Sequence, residues 1–139
     1  MSNELDASGS CLCGAVRFTA AKASKHLGAC HCGMCRKWGD GPLMAVDCGV
    51  EVAFEGEENV AVFDSSDWAE RGFCRQCGSH LFYRLKKNGI HIIPAGLFDN
   101  QESFVFEHQI FIDHKPPYYC FENETRDMTE AEVFARYGA

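Results

Sequence analysis

The segment from Cys30 to Cys35, which reads Cys-His-Cys-Gly-Met-Cys, places three thiols within six consecutive positions. Thiols this close together in a chain without a secretory signature are more often metal ligands than disulfide partners, because cytosolic reductants keep such cysteines reduced. The spacing therefore predicts a metal site, with zinc as the leading candidate. Because Cys30, Cys32 and Cys35 supply only three donors, the ion would keep an open coordination position, as catalytic zinc does.

Two further pairs of cysteines, Cys11 with Cys13 and Cys74 with Cys77, lie far apart in the sequence. Alternate residues of a strand point to the same side, so both sulfurs of the first pair can face one ion. The second pair begins a C-x-x-C-G turn, which is typical of a zinc knuckle. Together the four thiolates are enough for a closed, structural zinc site. Spacing alone also allows the knuckle to share an ion with two of the three clustered cysteines instead.

The other cysteines and most histidines are interpreted as structural. Cys48 and Cys120 lie outside the paired spacings, and we expect both to be small buried apolar residues. His31 lies between two predicted ligands, and we expect its ring to point away from them, toward a group behind the ligands or toward solvent. A ligand role for His31 is the alternative. No ligand spacing is present around four other histidines, His80, His91, His108 and His114.

Length and composition are those of one ordinary globular domain, which is predicted to span residues 1–139. No uninterrupted apolar run is long enough to cross a bilayer. The first residues, Met1-Ser-Asn-Glu, lack the basic and apolar regions of a signal peptide, which indicates a cytoplasmic protein with no membrane partner. A formal net charge of -7 disfavours nucleic acid as a partner, because phosphate neutralisation requires clustered Lys and Arg.

The elements that must position the cysteines are predicted to be short antiparallel strands. Residues 1–9 read as a polar lead-in and residues 21–29 as a loop, while Lys86-Lys-Asn-Gly89 is a hairpin turn. A capping box at Thr129-Glu-Ala-Glu132 predicts a helix over Thr129–Tyr137. The fold class is therefore mainly β, with a short C-terminal helix. Alternating or apolar runs predict strands over 15–20, 43–47, 50–54, 60–63, 79–85, 90–95 and 104–112.

The chain resembles the glutathione-dependent formaldehyde-activating family, also called the CENP-V/GFA domain family. Many relatives carry Trp after the proline segment where this chain has Tyr118 and Tyr119, so this part of the pocket departs from the family pattern. The resemblance rests on five stretches, Gly9–Arg17, Cys30–Lys37, Arg71–Ser79, Ala95–Asp99 and His108–Pro117.

The resemblance implies a β-rich, Mss4-like fold and two zinc ions per chain, the second of which can be partly occupied. It favours a structural site formed by Cys11, Cys13, Cys74 and Cys77, and it assigns the second ion to Cys30, Cys32 and Cys35. The family's chemistry adds glutathione to formaldehyde, forming S-hydroxymethylglutathione. The resemblance therefore implies a carbon–sulfur lyase-type activity on a small thiol, such as glutathione, and formaldehyde or a related aldehyde.

A zinc ion held by three thiolates can take a substrate thiol at its vacant position and keep it as thiolate near neutral pH. Alternatively, it can polarise an aldehyde oxygen as a Lewis acid. Arg36, Lys37 and Lys115 are candidate partners for the carboxylates of glutathione, and otherwise they are solvated surface charges. The competing hypothesis is a non-catalytic zinc-binding module that binds a small thiol or a partner, because a scaffold can keep its metal and lose the reaction.

Overall fold

The structure is a computed structural model that describes residues 4–137. Predictions that fall on residues 1–3, 138 and 139, including the start of the lead-in and both ends of the domain, lie outside the described residues. No helix among residues 4–137 has the length and apolar character needed to span a membrane. In this part of the chain the elements are β1 (Glu4–Ser10), β2 (Arg17–Ser24), β3 (His26–Cys30), α1 (Gly33–Gly39), β4 (Leu43–Asp47), β5 (Val52–Glu55), β6 (Val60–Phe63), β7 (Ala69–Cys74), β8 (His80–Leu85), β9 (His91–Pro94), β10 (Val105–Ile110), β11 (Arg126–Met128) and α2 (Glu130–Tyr137).

The described residues divide into two compact units. One contains the described residues up to Lys25 together with Ala45–Phe104, and the other contains His26–Met44 together with the described residues from Val105 onward. The mainly β class is confirmed, because strands predominate and both helices are short. A single domain over residues 1–139 stays a prediction.

In the first unit, β1, β2 and β5 form an antiparallel sheet in that order. The part of β4 from Ala45 onward pairs with β9, which pairs in turn with β8, and β8, β7 and β6 continue the antiparallel ladder. The strand over Val60–Phe63 has the predicted bounds. The hairpin turn between β8 and β9 is confirmed, since the backbone N–H of Leu85 donates to the carbonyl of Ile90 at 3.0 Å.

An aromatic core fills this unit. The Phe18 side chain in β2 is buried against Phe98, with ring centroids 5.1 Å apart in an edge-to-face contact. Phe54 lies between the Phe18 and Phe82 rings, at 6.3 and 5.5 Å. The strand β2 begins after the turn that carries Cys11, and β8 begins after the turn that carries Cys77. Because both strands contribute rings to this core, the core holds in place the strands that follow the two cysteine-bearing turns.

In the second unit, β10 pairs in parallel with β3 and with β11. The expectation of antiparallel strands throughout is therefore wrong for these pairs, because apolar periodicity reports which face of a strand is buried and not its direction. The C-terminal helix is confirmed. The Thr129 N–H donates to Glu132 Oε1 at 2.8 Å and the Glu132 N–H donates to Thr129 Oγ1 at 3.2 Å, which is the predicted capping box.

Two segments predicted to lack regular structure are strands. The lead-in from Glu4 onward forms β1, and the predicted loop over 21–29 forms the end of β2 and all of β3 except Cys30. These segments are polar or rich in small residues, so their composition predicts no strand. They become strands because neighbouring strands pair with them, as in the register of Leu5 with Ala23.

Candidate metal centres

Two turns of similar shape bring four cysteines together in the first unit. One turn follows β1 and carries Cys11 and Cys13; the other follows Cys74 at the end of β7 and carries Cys77. In each turn the glycine after the second cysteine has a left-handed backbone, with φ of +80° at residue 14 and +81° at residue 78, and its N–H donates to the carbonyl of the first cysteine. The prediction that Cys11 and Cys13 lie on a strand is wrong, since the chain turns there.

The sulfurs of these four residues, hereafter the four-cysteine cluster, all lie within 4.8 Å of one another. The Sγ atoms of Cys11 and Cys13 are 3.7 Å apart, and those of Cys13 and Cys74 are 3.8 Å apart. A tetrahedron with metal–sulfur bonds of about 2.3 Å has sulfur–sulfur edges of roughly 3.8 Å. The donor set and its dimensions therefore fit one tetrahedral metal ion. The structure groups Cys74 and Cys77 with Cys11 and Cys13, as the predicted closed site requires, and not with the three clustered cysteines.

Hydrogen bonds support the sulfurs of this cluster. The backbone N–H of Val16 donates to Cys11 Sγ at 3.4 Å. The Ser79 hydroxyl lies 3.2 Å from Cys77 Sγ and accepts the N–H of Leu12 at 3.0 Å, so it links the two turns. Hydrogen bonds from Ser79 lower the pKa of the Cys77 thiol to about 5, which favours the thiolate that a metal ion requires.

The second group of cysteines, hereafter the three-cysteine cluster, lies where β3 ends and α1 begins. Cys30 is the last residue of β3, Cys32 is the N-cap of α1, and Cys35 lies in the first turn of that helix. The extended backbone of Cys32 turns its sulfur back over the helix, where it accepts the Cys35 N–H at 3.3 Å. A short helix that sequence analysis missed thus brings three thiols to one point, and their sulfurs lie within 4.8 Å of one another.

The three sulfurs are electrostatically unequal. Hydrogen bonds from the thiols of Cys30 and Cys35 lower the pKa of Cys32 to about 2, with further help from backbone N–H groups at the start of α1. The thiol of Cys30 is the complementary donor, and its pKa is raised by its hydrogen bonds to Cys32 and Cys35 and by burial. The cluster therefore favours negative charge at Cys32. Three converging sulfurs fit three corners of a tetrahedral site, and among residues 4–137 no further Cys, His, Asp or Glu joins them.

His31 is neither exposed nor a member of the cluster, although it lies between two of its cysteines. Its side chain has 0% exposure, which corrects the expectation of a solvent-facing ring and supports the alternative of a group behind the ligands. Its Nε2 lies 2.7 Å from Gln109 Oε1 and its Nδ1 lies 2.7 Å from the Tyr119 hydroxyl. Burial lowers the pKa of the imidazole.

The candidate substrate-binding cations differ in their surroundings. Arg36 donates from Nε to the carbonyl of His31 at 2.9 Å, which steadies the cysteine-bearing segment. Lys37 is exposed on α1. Lys115 donates from Nζ to the carbonyls of Pro116 and Tyr119 at 3.3 and 2.6 Å, so most of its donor capacity is already used within the chain. A role for these cations in substrate binding stays a prediction.

Two residues near the three-cysteine cluster were missed by sequence reasoning. Gln109 is a buried polar residue of β10 that directly follows Glu107 and His108, so its sequence context gave no signal of its burial. Tyr119 was noted only as a departure from the family. Among the remaining cysteines, Cys48 is buried as expected and its pKa is raised to about 12 by burial, whereas Cys120 is exposed, so its expected burial is wrong.

The fold and these two clusters define a small, β-rich protein whose cysteines converge with the geometry of metal ligands. A family model described as "Glutathione-dependent formaldehyde-activating enzyme" (GFA) matches residues 6–114. The chain belongs to this family, which confirms the resemblance seen in its sequence.

Individual relatives agree with this assignment. A Schizosaccharomyces pombe protein described as an uncharacterized lyase is 40% identical over 127 residues, which cover 90% of this chain and 92% of that protein. A putative glutathione-dependent formaldehyde-activating enzyme of Halomonas elongata is 30% identical over 83 residues, covering 53% of each. The crystal structure of a Rhodobacter sphaeroides protein is similar in fold, with a TM-score of 0.56 at 22% identity, covering 67% of this chain and 88% of that one.

Proposed function

We propose that the protein is a zinc-dependent, cytoplasmic carbon–sulfur lyase-type enzyme that joins glutathione or another small thiol to formaldehyde or a related aldehyde. The observation that carries this proposal is the three-cysteine cluster, in which Cys30, Cys32 and Cys35 converge without a fourth donor among the described residues. A metal ion held there keeps one position for a substrate, whereas the four-cysteine cluster has the donor number of a closed structural site. Family membership and a relative described as a lyase support the same reading.

The reaction can be divided between the groups involved. In the net reaction the thiol loses its proton, its sulfur forms a bond to the aldehyde carbon, and the carbonyl oxygen takes up a proton, which gives the hydroxymethyl thioether. When bound, the zinc ion would supply a positive centre that favours the substrate thiolate or polarises the aldehyde oxygen. Cys30, Cys32 and Cys35 would hold that ion.

The chain's own cations would orient the thiol substrate. Arg36 contacts the backbone carbonyl of His31 through Nε, so its other N–H groups can donate to a carboxylate. Lys37, one residue further along α1, adds an exposed positive charge. We propose that these two residues, together with Lys115 of the same unit, bind the carboxylates of a glutathione-like thiol.

Calorimetry of glutathione binding to zinc-loaded protein tests this function. Because the thiol would bind as thiolate, we expect binding to release a proton, measured as a dependence of the heat on buffer ionisation enthalpy. Binding should persist well below the ordinary thiol pKa of about 8.5. Formaldehyde consumption should be faster than the uncatalysed reaction.

Two cysteine variants provide the matched comparison. Cys32→Ser should abolish both the proton release and the faster consumption of formaldehyde. Cys120→Ser removes an exposed thiol outside both clusters and should retain both. Absence of glutathione binding, or consumption at the uncatalysed rate despite binding, would contradict the enzyme and favour a non-catalytic zinc-binding module.

A further inference from the structure

A line of hydrogen bonds runs through the second unit from a surface carboxylate to a tyrosine. Asp127 and Gln109 lie opposite each other in the register of β11 and β10, and the line passes through both strands. It then reaches the buried ring of His31, which lies in the sequence between Cys30 and Cys32 of the three-cysteine cluster. The distances are 2.6 Å from Thr125 Oγ1 to Asp127 Oδ1, 2.9 Å from Gln109 Nε2 to Thr125 Oγ1, 2.7 Å from His31 Nε2 to Gln109 Oε1 and 2.7 Å from His31 Nδ1 to the Tyr119 hydroxyl.

The carboxylate sets the direction of each bond between Asp127 and His31. An ionised carboxylate only accepts, so the Thr125 hydroxyl donates to Asp127. Thr125 Oγ1 then accepts from the Gln109 amide nitrogen, which turns the Gln109 carbonyl oxygen toward His31. That oxygen can only accept, so His31 carries its proton on Nε2.

The other ring nitrogen of His31 is consequently an acceptor. The imidazole is fully buried, and neither of its two hydrogen-bond partners is charged, so an imidazolium at this position would be a buried charge without a carboxylate in contact. A neutral ring protonated on Nε2 must accept at Nδ1, and the Tyr119 hydroxyl must donate to it.

Tyr119 is held at its backbone by Lys115 and at its hydroxyl by His31. Lys115 Nζ donates to its backbone carbonyl at 2.6 Å and lies 5.4 Å from the centre of its ring. Its hydroxyl is hydrogen-bonded to His31, whose neighbours in the chain, Cys30 and Cys32, both belong to the cluster. Since the hydroxyl hydrogen is directed to His31, the phenol oxygen can offer only lone pairs to a molecule at the cluster.

We propose that Tyr119 is a specificity-determining residue that accepts a hydrogen bond from the thiol substrate, and that His31 is the positioning residue that fixes this polarity. The site then favours thiols that carry an N–H or O–H donor near the sulfur over thiols of the same shape that lack one. An amide N–H close to the thiol, as in a cysteinyl peptide, has the required chemistry. This inference rests on the proposed function, because it concerns the thiol that binds at the same cluster.

Two small thiols that differ in one donor test the proposal. 3-Mercapto-N-methylpropanamide carries an amide N–H where methyl 3-mercaptopropanoate carries an ester oxygen, and calorimetry with zinc-loaded protein gives the dissociation constant of each. We expect the unsubstituted protein to bind the amide about threefold to tenfold more tightly, the range of one neutral hydrogen bond. Tyr119→Phe should bind both alike. Tyr118→Phe is the matched control, because it removes the neighbouring, exposed hydroxyl and should keep the preference.

The tautomer of His31 gives a second readout that requires no thiol. Nitrogen-15 NMR of the folded protein should show Nε2 protonated and Nδ1 unprotonated, and Tyr119→Phe should shift the Nδ1 resonance. The opposite tautomer would overturn the proposal. Equal affinities in the unsubstituted protein, or a preference that survives in Tyr119→Phe, would overturn it while leaving the proposed function intact. If neither thiol binds, the proposed function fails and this inference fails with it.

Discussion

The four-cysteine cluster draws its sulfurs from two separate turns, and Cys13 and Cys74, whose sulfurs lie 3.8 Å apart, are 61 positions apart in sequence. The three-cysteine cluster takes all of its sulfurs from one strand–helix junction, between Cys30 and Cys35. An ion in the first cluster would close a long loop and so contribute directly to the free energy of folding. An ion in the second would constrain only a few residues. Sequence separation and donor number thus distinguish a cluster suited to stabilising the fold from one suited to binding a substrate.

The largest expected effect is on the free energy of unfolding, and it tests whether the four-cysteine cluster stabilises the fold more than the three-cysteine cluster does. Cys74→Ser removes a buried sulfur of the four-cysteine cluster, and we expect it to lower the free energy of unfolding by more than about 4 kcal/mol or to prevent soluble expression. Cys32→Ser should leave a folded protein, because its cluster is local. Thermal unfolding followed by circular dichroism measures both, with Cys120→Ser as the reference. Equal losses in Cys74→Ser and Cys32→Ser would show that both clusters are structural.

Metal release is the second test of the comparison. We expect purified protein to contain between one and two zinc ions per chain, with one ion removed by a mild chelator because three protein donors hold it less firmly than four. The remaining ion should resist the chelator until the protein unfolds. Zinc release can be followed with a chromophoric chelator, and Cys32→Ser should lack the fast phase. A protein without zinc, or one whose single ion leaves only on unfolding, would contradict the two-site description.

The electrostatics of the three-cysteine cluster predict an unusual pH dependence of thiol reactivity. After mild chelation, Cys32 should remain a thiolate at pH 6, because its pKa is lowered to about 2, whereas an ordinary thiol with pKa near 8.5 is almost fully protonated. Its alkylation rate by iodoacetamide should therefore change little between pH 6 and pH 9. Peptide mass spectrometry locates the modified residue, and glutathione in the same tube is the reference thiol. A rate at Cys32 that rises about tenfold per pH unit, as for the reference, would contradict the assigned charge.

The smallest expected effect concerns Ser79, whose hydroxyl links the two turns of the four-cysteine cluster. Ser79→Ala should lower the free energy of unfolding by about 1 kcal/mol and accelerate zinc loss from that cluster. Thr129→Ala, which removes the N-cap of α2 in the other unit, should cost a similar amount and leave zinc loss unchanged. Denaturant titration and chelator kinetics separate the two effects. Similar acceleration in both variants would mean that zinc loss reports overall stability only.

Local sequence signals predicted the parts of the molecule that depend on near neighbours. The capping box at Thr129, the turn ending at Gly89 and the strand over Val60–Phe63 are each encoded within a few residues, and each is present. The grouping of cysteines could also be proposed from spacing, because metal-ligand pairs have characteristic separations. Which pairs meet required the resemblance, since spacing within a pair says nothing about a partner 61 positions away.

The elements that sequence analysis missed depend on distant residues. The helix α1 is short and begins at Gly33, so its apolar pattern is too brief to detect, and Cys32 supplies its cap. In β3, the His108 ring occupies the space of a side chain at Gly28, where a Cβ would lie 2.0 Å from His108 Nε2, and glycine by itself argues against a strand. The burial of His31 likewise follows from Gln109 and Tyr119, which lie far along the chain.

The long separation between the two turns of the four-cysteine cluster also sets an order of assembly during protein synthesis. At roughly 5–20 residues per second, the ribosome makes Cys74 about 3–12 s after Cys13. Cys30, Cys32 and Cys35 are made within that interval, so the first five of these cysteines to emerge belong to two different clusters. An ion that bound early could be held by sulfurs of both clusters. It would have to leave that mixed site before the four-cysteine cluster could form. The rapid exchange predicted for the three-cysteine cluster would then serve folding as well as the proposed binding of a substrate, because it would let a misplaced ion leave before the fold closes.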